Sequence, residues 1–321
     1  LPCPLCGSPD TVPSKSCDGD VGSGNWNLRR CSRCGTMYLH PIPDPQTLDA
    51  YYDDDYYGQG KGKFFGPVEQ VVRLFRYLRA KSVQRFAPSG PVLDVGCGRG
   101  LMLSFLKTRG YEVDGIELDS VAAKRAERNL EQEIFNNLED IKSSHSGKYQ
   151  AVCFWHSLEH LPQSGQALRA ADFLLAPGGS LVISAPHAAS IQSRLAGKRW
   201  LHLDLPRHLV HFDMNRLCSF LQHKGYDLLK KQHFSQEYNV IDTLCYLYST
   251  LNFDPLYPFN ILKGPQGYRT CKSSSWMSLV GLSLLFPLGL VAFLGSNLFS
   301  VLRSGSTVTL FLRKNSKTPP I

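Results

Sequence analysis

Cys3, Cys6, Cys31 and Cys34 stand as C-x2-C-x24-C-x2-C, with Gly7 and Gly35 directly behind the two turns. Each C-x2-C turn can aim two thiolates at one ion, and two such turns close a tetrahedral zinc site. Four thiolates leave no open coordination position, so the expected role is structural, a zinc knot over residues 1–40. A redox dithiol is the alternative reading of each pair. Cys17, between the pairs, has no partner at ligand spacing.

A second constellation lies at residues 91–100, PVLDVGCGRG, where an apolar run enters Asp94 and then Gly96, Gly98 and Gly100. Its G-x-G-x-G spacing, with an acid two residues ahead, differs from the G-x-G-x-x-G of nicotinamide and flavin enzymes. The glycines let a ligand approach the backbone closely. The carboxylate suits a cationic cofactor and would repel a diphosphate. The next apolar run, EVDGIELD, reaches Glu117, where an acid can chelate both ribose hydroxyls.

Histidines supply the third group. HSLEHLP follows the apolar run YQAVCFW and carries His156, Glu159 and His160; PRHLVHF carries His208 and His211. Any of these could remove a proton from an acceptor. His156 and His160 share a face if their segment is helical, and PRHLVHF could fold back over the cleft to bring His208 to the acceptor. The alternatives are a Glu159–His160 brace and an Arg207 that binds phosphate. His40, His145, His223 and His233 are expected at the surface, and Cys97 and Cys153 in the core.

Strands that alternate with helices must position these groups. VLDV, EVDGIELD, a short EIFNN, YQAVCFW and SLVISAP read as strands, with helices between them. The pattern demands a doubly wound α/β sheet with ligands at the carboxyl ends of its strands. Ahead of it, EQVVRLFRYLRAKSVQRF reads as a helix with apolar Val71, Val72, Phe75 and Leu78. Residues 41–88 form a linker and helical flap, read either as solvated or as placing Tyr56 or Tyr57 against the substrate.

The chain has 321 residues, 43% of them hydrophobic, which suits one large domain plus a smaller one and excludes general disorder. A net charge of +8 favours acidic partners without choosing among nucleic acid, anionic lipid and phosphorylated substrate. The ten cysteines form no secreted disulfide framework and suit a reducing compartment. No basic-then-apolar signal segment is visible, so the expected location is the cytoplasm.

Taken together, VLDVGCGRG, GIELD, VCFWHSLEHL, LLAPGGSLVISAP and WLHLDLPRHLVHF resemble class I S-adenosylmethionine-dependent methyltransferases, in particular a bacterial branch with an N-terminal four-cysteine zinc-binding segment. The resemblance implies a Rossmann-like methyltransferase domain over residues 89–321. It implies S-adenosylmethionine contacts from Asp94, Gly96, Cys97, Gly98 and Leu118, with the ribose at Glu117. Asn137 and Leu138 fall where relatives hold the adenine, with Asn137 replacing an acid, and Trp155 falls at the floor of the site. His208, His160 and His156 are the candidate catalytic residues. The acceptor expected first is a sugar, glycan or lipid-linked precursor. The alternatives are a quinone-like or natural-product small molecule, RNA methylation or nucleic-acid binding, and a non-catalytic scaffold. Nucleic acid is disfavoured because basic residues near the knot reduce to Lys15, Arg29, Arg30 and Arg33, without interleaved aromatics.

WMSLVGLSLLFPLGLVAFLGSNLFSVL, residues 276–302, carries no charge. It lies inside an insertion, 236–303, between GYDLLKKQHFS and STVTLFLRK, which the resemblance makes the last two strands, antiparallel neighbours in one sheet. A single membrane crossing would strand the last strand on the far side. Pro287 splits the run into pieces too short to span, so a bent, apolar helical pair is expected. Its expected use is peripheral contact of residues 273–302 with the inner face of the cytoplasmic membrane, with Arg269, Lys272 and Arg303 at anionic headgroups. A homodimer interface and an internal core are the other uses.

Overall fold

The computed structural model describes residues 2–14, 26–49, 66–118, 120–142, 145–263 and 275–315. Cys17, Tyr56, Tyr57, Arg269 and Lys272 lie outside the described residues.

Ten strands are described: β1 (Thr11–Pro13), β2 (Leu28–Cys31), β3 (Met37–Leu39), β4 (Val92–Val95), β5 (Val113–Ile116), β6 (Tyr149–Trp155), β7 (Leu175–Pro186), β8 (Val210–His211), β9 (Tyr226–Gln232) and β10 (Thr307–Lys314). Six form the central sheet in the order β5-β4-β6-β7-β10-β9. Strands β4, β5, β6 and β7 are parallel, and β10 runs antiparallel between β7 and β9. The parallel strands are near-continuous apolar runs because helices cover both faces of the sheet. Leu93, Val152, Phe154 and Ile183 are fully buried. From β4 the chain moves first to β5 on one side and then to β6 on the other, so the switch point lies at the carboxyl end of β4.

Four departures from the sequence reading have local causes. EIFNN forms no strand: Phe135 makes one isolated parallel bridge to Ile116, because polar Asn136 and Asn137 turn the chain away after it. The helix before the sheet, α2 (Gly66–Phe86, following the short α1, Pro45–Asp49), buries Val72, Ala80 and Val83 and leaves Val71 and Leu78 exposed. That rotation brings Arg76 and Arg79 to Glu237, at 2.6 and 2.7 Å. His233 is buried, because the insertion folds back over the end of β9. The apolar run is not a broken pair: a single helix spans Ser275–Val301, straight through Pro287.

This long helix packs antiparallel on another helix, Asn239–Thr250. Asn239 Nδ2 donates to Ser300 Oγ at one end, at 3.2 Å, and Tyr248 OH donates to the Gly281 carbonyl at the other, at 2.6 Å. A proline in a helix interior costs about 3 kcal/mol. Leu284, Leu285, Leu288 and Ala292, packed with Leu244, Tyr248 and Tyr257, offset it. A Cβ on Gly281 would stand 2.8 Å from the Tyr257 ring, so only glycine allows that approach. The opposite side is bare. Leu282, Phe286, Leu290, Leu294, Leu298 and Leu302 recur every fourth residue and are all at least half exposed, Phe286 by 82%. At a 1.5 Å rise per residue this stripe is about 30 Å long. Val280–Val301 is long and apolar enough to cross a membrane. Yet the chain enters β10 directly after it, in the same sheet that it left at β9.

The cysteine segment shares a sheet with the rest. β1, β2, β3 and β8 form a second sheet, with Met37 opposite His211 and Tyr38 opposite Val210, so the pairing crosses the expected boundary at residue 40. Cys3, Leu5, Cys31 and Tyr38 lie in one core cluster with Leu93, Phe154 and Ile183.

Candidate active site

The carboxyl ends of β4, β5 and β6 meet at the switch point. After β4 the backbone turns through Gly96 and Gly98 with φ of 78° and 56°. A Cβ on Gly96 would lie 2.5 Å from Ser157 Cβ, so the turn beside β6 requires glycine. Glu117, one residue past β5, accepts the Gly98 amide at 2.8 Å through Oε2. Asp94 is 4% exposed and its Oδ1 has no hydrogen-bond partner. Burial pushes its carboxyl up to about 7, against the opposing pull of Arg79 and Arg76. An acid this poorly satisfied is suited to a cationic ligand.

Trp155 closes β6, with the Arg79 guanidinium 5.1 Å from its ring centre. Cys97 is half-buried against Gly115. Leu118 is 72% exposed beside Glu117, available to a flat ring. Asn137 serves as a cap: its Oδ1 accepts the amides of Glu139 and Asp140, each at 2.9 Å, and opens the helix Leu138–Lys142. Leu138 packs on the core.

The histidines gather on one side of this turn. The segment after β6 is a 3-10 turn, Leu158–His160, entered through His156 at φ 54°, so His156 and His160 do not share an α-helical face. His156 stacks on Tyr238 at 3.8 Å, with its Nδ1 3.3 Å from Glu159 Oε1. His160 and His208 meet edge to face at 4.7 Å. Arg207 is paired with Asp204, and Asp204 Oδ2 stands 3.8 Å from His208 Nε2. Burial lowers His156, lowers His160 to about 4 and lowers His202 to about 3, so these rings are neutral at pH 7. Burial alone would raise the Glu159 carboxyl; the adjacent His156 outweighs it and holds the group below the usual carboxylate range.

Sequence reasoning missed Arg79, His202, Asp204, Glu237 and Tyr238, which line this cluster. They come from three separated segments, and only His202 and Asp204 lie in one of the quoted motifs, WLHLDLPRHLVHF. The LDLPRH stretch was the one signal that could have pointed to Asp204.

At the other end, Cys3 and Cys34 Sγ atoms lie 3.5 Å apart, and those of Cys6 and Cys31 3.6 Å apart. All four lie within 4.8 Å of one another. Zinc–sulfur bonds of about 2.3 Å place tetrahedral sulfurs about 3.8 Å apart, so the four thiols fit one ion.

Residues 70–231, just over half of the chain, match the profile of a family described as a methyltransferase domain. The chain belongs to that family. Among curated relatives, ubiquinone biosynthesis O-methyltransferase of Psychrobacter cryohalolentis is 36% identical over 104 residues, 29% of this chain and 39% of that protein. The enzyme of the same name from Xanthomonas axonopodis pv. citri is 32% identical over 137 residues, 40% of this chain and 57% of that protein. The chain thus matches about half or less of these relatives' lengths. Among solved structures, a SAM-dependent methyltransferase from Archaeoglobus fulgidus is 19% identical, covers 74% of this chain and 94% of its own, and has a TM-score of 0.45. The six-stranded sheet of this methyltransferase-family chain is the Rossmann-like arrangement expected from its motifs.

Proposed function

We propose that this chain is an S-adenosylmethionine-dependent methyltransferase that methylates an oxygen of a small, apolar-tailed acceptor at a membrane surface. The observation that carries the reading is buried Asp94, its Oδ1 without a hydrogen-bond partner, beside Gly96, Gly98 and Glu117 at the switch point, with a histidine cluster alongside.

Asp94 would face the cationic part of the cofactor, Glu117 its ribose hydroxyls, and Leu118 and Leu138 its adenine. Asn137, committed to its cap, would leave the adenine amine to backbone groups. When bound, S-adenosylmethionine supplies a methyl group made electrophilic by its sulfonium. The chain's task is then to orient the acceptor in line and take its proton. We assign that step to His156, His160 and His208. Four-thiolate zinc at Cys3, Cys6, Cys31 and Cys34 would hold β2, β3 and, through them, β8.

The relatives' name supports an oxygen acceptor of quinone type, and the bare apolar stripe of the long helix supports an acceptor that partitions into lipid. A second reading rests on a cleft of about 560 Å³ beside the knot, lined by Arg30, Arg194, Arg216, Trp200 and Leu203. Three guanidinium groups there favour a phosphorylated, lipid-linked precursor. Feeding the enzyme labelled S-adenosylmethionine and fractionated extract separates the readings. Label is expected in the neutral lipid pool; label in the phosphorylated lipid pool selects the second reading, and label in RNA or protein defeats both.

Two further results are expected. Because Asp94 is protonated below about pH 7 in the free protein, cofactor affinity should climb up to tenfold per pH unit from pH 5 to 7 and then level. Below pH 7 the cation must first displace that proton, whereas above it the carboxylate is already charged. Asp94→Asn should flatten the calorimetric profile; an unchanged slope places the titrating group elsewhere. Next, the intact chain should float with anionic vesicles. A variant with Phe286, Leu290 and Leu294 all replaced by serine should sediment, having lost about 1.5–3 kcal/mol of burial per side chain. Sedimentation of the intact chain would transfer the stripe to a dimer interface.

A further inference from the structure

Glu159, His160 and His208 each offer one ligand atom, and the three atoms lie within 4.8 Å of one another. Glu159 is 1% exposed, and neither of its carboxylate oxygens has a hydrogen-bond partner. Native interiors rarely leave a carboxylate in that state unless a cation or ordered donor meets it. His156 Nδ1, at 3.3 Å, stands near one oxygen only.

The two rings are held by a feature typical of metal-binding imidazoles. His160 Nδ1 lies 3.0 Å from the Arg207 carbonyl, and His208 Nδ1 lies 2.8 Å from the His202 carbonyl. A carbonyl can only accept, so each Nδ1 carries the proton and donates. In the neutral form of each ring this leaves the lone pair on Nε2. Outer hydrogen bonds of this kind fix the tautomer and orientation of metal-ligating histidines. Asp204, paired with Arg207, stands 3.8 Å from His208 Nε2.

The geometry points to a second metal site, in which Glu159, His160 and His208 bind a divalent transition-metal ion of the zinc class. Two imidazoles and one carboxylate satisfy three positions and leave one open, as in catalytic rather than structural zinc centres. The ion would differ from the one in the cysteine knot in ligand type, in coordination and in exchange rate. Resting on the methyl-transfer reading, the open position would take the acceptor's oxygen. This would recast the histidines as ligands instead of bases. The metal site itself does not depend on that reading.

Metal content of the intact chain tests it. Protein purified without chelator and equilibrated with excess zinc, then desalted, should hold two equivalents per chain. Glu159→Gln and His208→Ala should each hold one. Cobalt titration of the wild-type protein provides a readout free of any folding defect. The thiolate site brings intense near-ultraviolet charge-transfer bands, and the second equivalent should add weak visible bands without them. One zinc per chain in the wild type, two in folded His208→Ala, or a cobalt spectrum that stops changing after one equivalent would each overturn the site. Two equivalents with no methyl transfer to any pool would leave the site standing and remove the methyltransferase reading.

Discussion

A Cys31→Ser chain is expected to lose the knot's metal and to disturb the active site as well. Structural zinc in small modules contributes on the order of 10 kcal/mol or more to folding, comparable to the whole stability of a domain. Two hydrogen bonds give the loss a route. The Leu39 amide donates to the Leu209 carbonyl, and the Leu209 amide donates to the Glu159 carbonyl, each at 2.9 Å. The knot's last strand is therefore tied through β8 to the backbone of the histidine cluster. Cys3, Leu5 and Cys31 also sit in the main core. Hydrogen exchange should show lost protection at Leu39 and Leu209, with residual protection in β4 and β6, and methyl transfer should fall further than cofactor affinity. Full protection at Leu209 in a metal-free Cys31→Ser protein would detach the knot from the site.

Glu117→Ala should weaken S-adenosylmethionine binding roughly 10- to 150-fold, the scale of about 1.5–3 kcal/mol for hydrogen bonds to a charged group. Two ribose hydroxyls would lose their acceptor, and the Gly98 amide would lose the partner it has at 2.8 Å. Glu117→Gln should recover part of the loss, since an amide oxygen accepts but carries no charge. Calorimetry at pH 8, where Asp94 is ionised, isolates this term from the pH effect. Equal affinities in wild type and Glu117→Ala would mean that the ribose lies elsewhere.

The candidate cofactor side stood out in the sequence because a short contiguous stretch carries it. Asp94, Gly96 and Gly98 lie within one strand–turn, and their backbone needs exclude most residue types. The acceptor side was only half legible. His156, Glu159, His160 and His208 stand out by type, but their company does not. Arg79 reaches Trp155 from a helix ahead of the sheet, and Tyr238 stacks on His156 from the start of the insertion. Such meetings depend on how helices rotate, and α2 turned a different face inward from the one its apolar residues suggested. Pro287 misled for a similar reason. A proline's local cost predicts a break, whereas packing against Tyr248 and Tyr257 keeps one helix. The sharing of a sheet between the knot and residues 210–211 is a long-range pairing that no local pattern announces.

Titration of the zinc-loaded, intact chain with S-adenosylmethionine tests the central claim most directly. One saturable site per chain is expected, with affinity lowered in Glu117→Ala and made insensitive to pH in Asp94→Asn. No saturable binding to folded wild-type protein at pH 8 would contradict it.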